Sequence, residues 1–191
     1  MCIINNIHRM LHSLALFAAL TLQFALKDTN AVVHRQDEWT RAKAVVVFFT
    51  TTDCPLSNNY VPEMNRFQKA YTGRGVAFYA VQTDTTIPDA AVRKHARDFG
   101  FSFPVLFDSD QFLVRMTGAT VTPEVAVLSG DGAVLYLGRI DNRNEDLGKS
   151  RTVTTEFDLR DALDAVLAGR SVKRPHTTAV GCGINVVKTG K

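Results

Sequence analysis

The chain has 191 residues, of which 46% are hydrophobic and 21% are charged, and its formal net charge is +3. This length and composition predict one globular domain with a single hydrophobic core. The basic residues form no long run, which argues against a nucleic-acid-binding surface.

The N-terminus carries an apolar stretch from Met10 to Leu20, preceded by His8 and Arg9. This stretch has the length of a signal-peptide core and is too short for a membrane span. We therefore expect residues 1–20 to be a signal peptide or leader, and the protein to be exported to the periplasm or another extracytoplasmic compartment. The alternative is a divergent first helix or an upstream start codon, in which case the protein is cytoplasmic.

The run from Ala44 to Phe49 is β-branched and aromatic without alternation, which predicts a central strand covered on both faces. Polar residues follow, and then Cys54 and Pro55, with the proline suited to the first position of a helix. Free N–H groups and the helix dipole favour a thiolate at such a position. Cys54 is therefore the candidate nucleophile, and the alternative is a small buried cysteine without chemistry.

The remaining elements predict an α/β fold. They comprise a strand at 76–81, a helix at 86–100, an edge segment at 101–108, a helix at 109–116, strands at 125–128 and 134–138, a polar loop at 144–153 and a last helix at 155–169. Strand, helix and strand in succession predict a parallel crossover, whereas the turn at 129–132 predicts an antiparallel hairpin. We therefore expect a central mixed sheet with helices on both faces.

The segment after Ser171 is basic and contains Cys182 between two glycines. We expect residues 171–191 to form a tail in which Cys182 is mobile and hard to bury. Three cysteines are too few for a disulfide scaffold, but Cys2 would leave with a signal peptide. An exported protein would then retain Cys54 and Cys182, which form one bridge if they meet.

These residues resemble the thioredoxin-like superfamily within its redoxin branch, which includes the peroxiredoxins. Cys54-Pro55-Leu56-Ser57 occupies the place of the C-x-x-C motif, and Pro62 fits a proline further along the same helix. Thr122-Pro123 matches the Thr-Pro pair whose proline is cis and faces the active cysteine. The resemblance implies a thioredoxin-like domain over residues 21–170 that opens with a β-hairpin near residues 22–34.

Ser57 stands where the family has its second cysteine. A disulfide with Cys54 must therefore recruit Cys182 or an external thiol. Thr51 fits the T-x-x-C spacing of peroxiredoxins, in which the threonine hydroxyl bonds the reactive cysteine, whereas the adjacent Asp53 carboxylate would raise a thiol pKa. The catalytic arginine of peroxiredoxins is replaced by the pair containing Pro123.

The resemblance implies a thiol oxidoreductase in which Cys54 attacks either a peroxide or a disulfide. Attack on a peroxide would be an antioxidant activity. The predicted catalytic set is Cys54, Thr51, Pro123 and Cys182, with an external thiol reductant as partner and no cofactor or metal. A second hypothesis is a non-catalytic module that binds a protein partner or copper, since thiolate suits Cu(I), although no C-x-x-x-C is present. A third is a redox-inert fold whose cysteine is a remnant.

Overall fold

The computed structural model describes residues 24–187, and the predicted leader at residues 1–20 lies outside them. The elements are, in chain order, β1 (Ala25–Lys27), β2 (Val33–Arg35), a 3₁₀ helix (Gln36–Arg41), β3 (Ala44–Thr50), α1 (Pro55–Tyr71), a 3₁₀ turn (Thr72–Arg74), β4 (Val76–Gln82), α2 (Asp89–Asp98), β5 (Val105–Phe107), α3 (Phe112–Thr117), β6 (Val121–Thr122), β7 (Glu124–Leu128), β8 (Val134–Gly138), β9 (Asn144–Asp146), β10 (Lys149–Ser150), α4 (Asp158–Leu167) and β11 (Cys182–Gly183).

Five strands form the central sheet in the order β5-β4-β3-β7-β8. Strands β3, β4 and β5 are parallel, whereas β7 runs antiparallel to both β3 and β8. Every residue of β3 is buried, as expected for a central strand whose sequence is apolar without alternation. The predicted mixed sheet is therefore confirmed.

Helices cover both faces of the sheet, as predicted. Because side chains alternate along a strand, Val46 and Phe48 of β3 pack against α1, α2 and α4. Val47 and Phe49 point the other way, toward α3, the 3₁₀ helix with the fully buried Trp39, and the N-terminal segment. The predicted N-terminal hairpin is also present, since β1 and β2 pair antiparallel.

The segment predicted as a polar loop at 144–153 contains a short antiparallel hairpin of β9 and β10. Gly148, with φ of 75°, lies in the turn between the two strands and adopts a left-handed conformation that glycine tolerates without strain. Within residues 24–187, no helix has both the length and the apolar character needed to cross a membrane.

Residues 175–187 form a C-terminal strap that lies against the sheet. Leu137 of β8 donates its N–H to the Pro175 carbonyl at 2.9 Å and accepts the Thr177 N–H at 3.2 Å. Further along, β11 pairs antiparallel with β6, and the Ile184 N–H donates to the Thr120 carbonyl at 2.8 Å. The prediction of a mobile tail is therefore wrong for this part of the chain.

Two glycines explain why the strap approaches so closely. A Cβ on Gly138 would stand 2.2 Å from the Thr177 hydroxyl oxygen, and one on Gly181 would stand 2.2 Å from the Thr122 carbonyl oxygen. The absence of a side chain at each position lets one backbone lie directly against another. From the sequence, Gly181 suggests a flexible segment. In the structure it allows the strap backbone to pack closely against Thr122.

Candidate active site

Cys54 lies between the central strand β3 and the first long helix, α1. It is the N-cap residue of α1, with Pro55 at the first helical position, as the sequence predicts. Its carbonyl accepts the first helical hydrogen bond, from the Asn58 N–H at 3.1 Å. The Cys54 side chain is fully buried, and the partial positive charge of the helix N-terminus favours its thiolate form.

The sulfur of Cys182 lies 2.7 Å from the sulfur of Cys54. A disulfide bond measures roughly 2.05 Å, and the two residues are free cysteines here. Cys182 reaches this position because β11 places it directly opposite Thr122 in β6. The strap thus brings together two predicted site residues that are far apart in sequence.

The Thr122-Pro123 peptide bond is cis, as predicted. Thr122 is the member of the pair that contacts the site, because its carbonyl oxygen accepts a hydrogen bond from the Cys54 thiol at 3.0 Å. Pro123 is buried immediately behind it. Residue 122 therefore touches the first cysteine through its carbonyl and faces the second across the β6–β11 pair.

The two thiols have opposite pKa shifts. Burial raises the pKa of Cys54, but hydrogen bonds from the Cys182 thiol and from the Ser57 main chain outweigh it and lower the pKa below its ordinary value. Burial, the bond to Cys54 and the negative charges of Cys54 and Asp53 raise the pKa of Cys182 to about 11. These shifts favour the thiolate form of Cys54 and the protonated form of Cys182.

The predicted hydrogen bond between the Thr51 hydroxyl and the Cys54 sulfur is absent in this structure. The Thr51 hydroxyl instead accepts a hydrogen bond from Gln82 Nε2 at 3.5 Å, because the adjacent parallel strand presents that amide to it. Thr51 still contributes its carbonyl, which accepts the Cys54 N–H at 3.3 Å. Thr51 thus contacts Cys54 through its main chain, in the turn before the helix.

Ser57, in the place of the motif's second cysteine, is 1% exposed. Its hydroxyl has no hydrogen-bond partner among the residues that the structure describes. Ser57 thus lies beneath the helix N-terminus on the side opposite to solvent, and the second thiol comes from the strap instead.

A cavity of about 260 Å³ opens beside the two sulfurs. It is lined by both cysteines, by the carboxylate residues Asp53 and Asp84, and by strap residues 183–185. The cavity borders Cys54, whose side chain is itself fully buried in this conformation. Within residues 24–187, no three His, Cys, Asp or Glu side chains cluster to hold a metal ion.

No sequence pattern identifies Gln111, which anchors the end of the strap. It is 1% exposed, and its amide donates to the Thr83 carbonyl at 2.9 Å and to the Asn185 carbonyl at 2.8 Å. Its side-chain oxygen accepts the Val187 N–H at 2.7 Å. Gln111 therefore joins the strap to the end of β4, next to the cavity.

Comparison with known proteins identifies the type of domain. The family model described as Redoxin matches residues 18–154. The thiol-disulfide oxidoreductase ResA of Geobacillus thermodenitrificans is 29% identical over 111 residues, which are 58% of this chain and 62% of the relative. The chain thus matches less than two thirds of that relative's length.

Two solved structures show the same architecture. An uncharacterized conserved protein from Geobacillus kaustophilus superposes with a TM-score of 0.76 at 26% identity, over 89% of this chain and 92% of that one. A secreted disulfide oxidoreductase of Mycobacterium tuberculosis has a TM-score of 0.53 at 18% identity, over 80% of this chain and 99% of that one. The predicted thioredoxin-like fold is confirmed.

Proposed function

The chain belongs to the redoxin family, and on that premise we propose that it is a thiol-disulfide oxidoreductase whose redox pair is Cys54 and Cys182. The observation that carries this proposal is the 2.7 Å separation of the two sulfurs. Cys182 supplies the second thiol that Ser57 does not. The similarity to a thiol-disulfide oxidoreductase supports the same reaction class.

The reaction proceeds in two exchange steps. The Cys54 thiolate attacks one sulfur of a substrate disulfide, forms a mixed disulfide and releases one substrate thiolate, which takes up a proton. Cys182 then loses its proton and attacks the Cys54 sulfur, which releases the second substrate thiol and leaves the Cys54–Cys182 disulfide. Two protein thiols are oxidised and one disulfide is reduced. An external dithiol reductant returns the pair to its starting state.

A peroxide is the second candidate substrate, because the cavity beside Cys54 admits small molecules. Cys54 would then form a sulfenic acid and release an alcohol or water, and Cys182 would displace water from that sulfur. The described residues that line the cavity include no cationic side chain to stabilise the leaving oxygen. Disulfide exchange is therefore the primary proposal.

We also propose that the protein acts outside the cytoplasm, in an oxidising compartment where a disulfide persists. The apolar stretch from Met10 to Leu20 supports this location. Mass spectrometry of the N-terminus of the protein from its native cell tests it. A chain that begins after residue 20 supports export, and an intact N-terminus contradicts it.

The experiment that tests the redox pair is stoichiometric oxidation with a small disulfide, followed by peptide mapping. We expect one intramolecular bridge between Cys54 and Cys182, no bridge in Cys54→Ser, and a stable mixed disulfide on Cys54 in Cys182→Ser. Two unreactive thiols in the folded wild type would contradict the proposal. Stoichiometric Cu(I) binding without thiol turnover would favour the copper-binding alternative instead.

A further inference from the structure

The candidate active site contains negatively charged side chains that thiol–disulfide exchange alone does not require. We propose that the cavity selects disulfides that carry positive charge next to their sulfur pair and disfavours anionic ones. This inference rests on the proposed function, since it names the substrate class of the same site. The observation behind it is that Asp53 and Asp84 both line the cavity that contains the two sulfurs.

The two carboxylates come from different loops, one before α1 and one after β4, and both line the cavity that contains the sulfurs. Asp53 directly precedes Cys54, is exposed and lines the cavity. Its charge acts on the second sulfur, because it contributes to the raised pKa of Cys182. Asp53 is therefore within electrostatic range of a group bound between the two cysteines.

Asp84 is held in place by local hydrogen bonds. Its Oδ1 accepts the Thr86 N–H at 2.8 Å and the Thr86 hydroxyl at 2.6 Å. These donors leave the second carboxylate oxygen of Asp84 free of any hydrogen bond within the described residues. Asp84 thus presents a fixed negative charge to the cavity from the loop that follows β4.

The described residues that line the cavity offer no Lys, Arg or His to balance these charges. The chain as a whole carries a formal charge of +3, which would weakly attract anions. A preference for cations would therefore have to arise locally, from the two aspartates. This opposition between global and local charge makes the proposal separable from a general charge effect.

The charge affects the first exchange step. A cationic group attached near the substrate sulfurs meets the carboxylates while the Cys54 thiolate attacks one sulfur and expels the other as a thiolate. The two aspartates repel a disulfide that carries carboxylates, both when it first binds in the cavity and when it forms the mixed disulfide with Cys54. A cavity of about 260 Å³ restricts the comparison to small disulfides, so size must be held constant.

The test uses three disulfides of similar size: cystamine, which is dicationic, hydroxyethyl disulfide, which is neutral, and dithiodiglycolate, which is dianionic. The rate of oxidation of the reduced protein is measured for each and divided by the rate of the same disulfide with dithiothreitol. We expect the order cationic, neutral, anionic, with about a tenfold span at low salt that shrinks at high salt. A flat or reversed order would overturn the inference.

Two variants assign the effect to its source. Asp53→Asn and Asp84→Asn keep an oxygen acceptor for the local hydrogen bonds, and each should reduce the ratio of cystamine to dithiodiglycolate rates by about threefold. Asp37→Asn is the matched control, because Asp37 is exposed in the 3₁₀ helix before β3. The seven residues of β3 separate it from the site by roughly 20 Å, and its ratio should not change.

The outcomes also separate this inference from the proposed function. Failure of all three disulfides to oxidise the Cys54–Cys182 pair overturns the proposed function. Oxidation by all three without charge dependence overturns only the charge selection. A charge dependence that Asp37→Asn reduces as much as Asp53→Asn does would also overturn it, because the effect would then follow total charge.

Discussion

Gly181 lies so close to Thr122 that a Cβ on residue 181 would stand 2.2 Å from the Thr122 carbonyl oxygen. Gly181→Ala should therefore move the strap away from β6 and carry Cys182 away from Cys54. We expect disulfide formation within the chain to slow on the order of a hundredfold, because misplacement by about 1 Å greatly lowers the effective concentration of a reacting group. Rapid quenching and alkylation of free thiols measure the rate.

Gly183→Ala provides the matched control on the other side of Cys182. Gly183 also lies in β11, but a Cβ there would have no heavy atom within 4 Å. Gly183→Ala should therefore leave the pairing of β11 with β6 in place and keep the rate of disulfide formation within about twofold of wild type. Equal slowing in Gly181→Ala and Gly183→Ala would show that the close approach to Thr122 does not position Cys182.

The second prediction concerns the pKa of Cys54. Cys182→Ala removes the thiol that donates a hydrogen bond to the Cys54 sulfur. Since this bond stabilises the thiolate, its loss should raise the pKa of Cys54. The pH profile of alkylation by iodoacetamide measures it, and the midpoint for Cys54 should move to higher pH in the variant. A midpoint that stays in place would contradict the assigned hydrogen bond.

The same pKa shifts set the sign of the pH dependence of stability. The lowered pKa of Cys54 favours folding above the unfolded thiol pKa, and this contribution disappears as the pH falls through the folded value. The raised pKa of Cys182, about 11, contributes below the unfolded pKa and is lost as the pH rises through 11. Urea unfolding across this range should show both trends, and Cys54→Ser should remove the first.

The sheet and the position of Cys54 were predictable because they depend on local patterns. An apolar run such as Ala44–Phe49 and a proline after the cysteine determine a buried strand and a helix start within a few residues. The strap was not predictable in this way. Its place depends on Gly138 and Gly181, which admit a distant backbone, and a glycine in a polar segment equally suits a flexible tail.

The fourth prediction tests how the strap is attached to β8. The Thr177 hydroxyl forms a 2.6 Å hydrogen bond with the Tyr136 hydroxyl and accepts the Arg139 N–H at 3.1 Å. Thr177→Val keeps the shape of the side chain but leaves these groups without that partner. We expect the free energy of unfolding to fall by about 1–3 kcal/mol, as measured by urea denaturation.

Thr178→Val is the control for this variant, because Thr178 is exposed and surface substitutions change stability by less than about 0.5 kcal/mol. Disulfide formation should slow less in Thr177→Val than in Gly181→Ala, since the pairing of β11 with β6 still fixes Cys182. A stability loss in Thr178→Val equal to that in Thr177→Val would assign the effect to the exchange of a hydroxyl for a methyl group in general and not to these hydrogen bonds.

The last prediction restores the family's own arrangement of cysteines. Ser57 lies three residues after Cys54 on α1, and its buried hydroxyl has no partner within the described residues. Ser57→Cys therefore replaces a buried hydroxyl that forms no hydrogen bond within the described residues with a thiol, which tolerates burial. Residues three apart share one helix face, so the introduced thiol can approach the Cys54 sulfur from the helix side.

We expect Cys182→Ala to lose intramolecular oxidation and the double variant Ser57→Cys with Cys182→Ala to regain it, with the bridge between residues 54 and 57 shown by peptide mapping. Adding Gly181→Ala to the double variant should not change its rate of disulfide formation, because the strap then carries no reacting group. Recovery of the bridge with continued dependence on Gly181 would mean that the strap shapes the site as well as supplying Cys182. No recovery in a folded double variant would show that the helix motif alone does not form a disulfide in this chain.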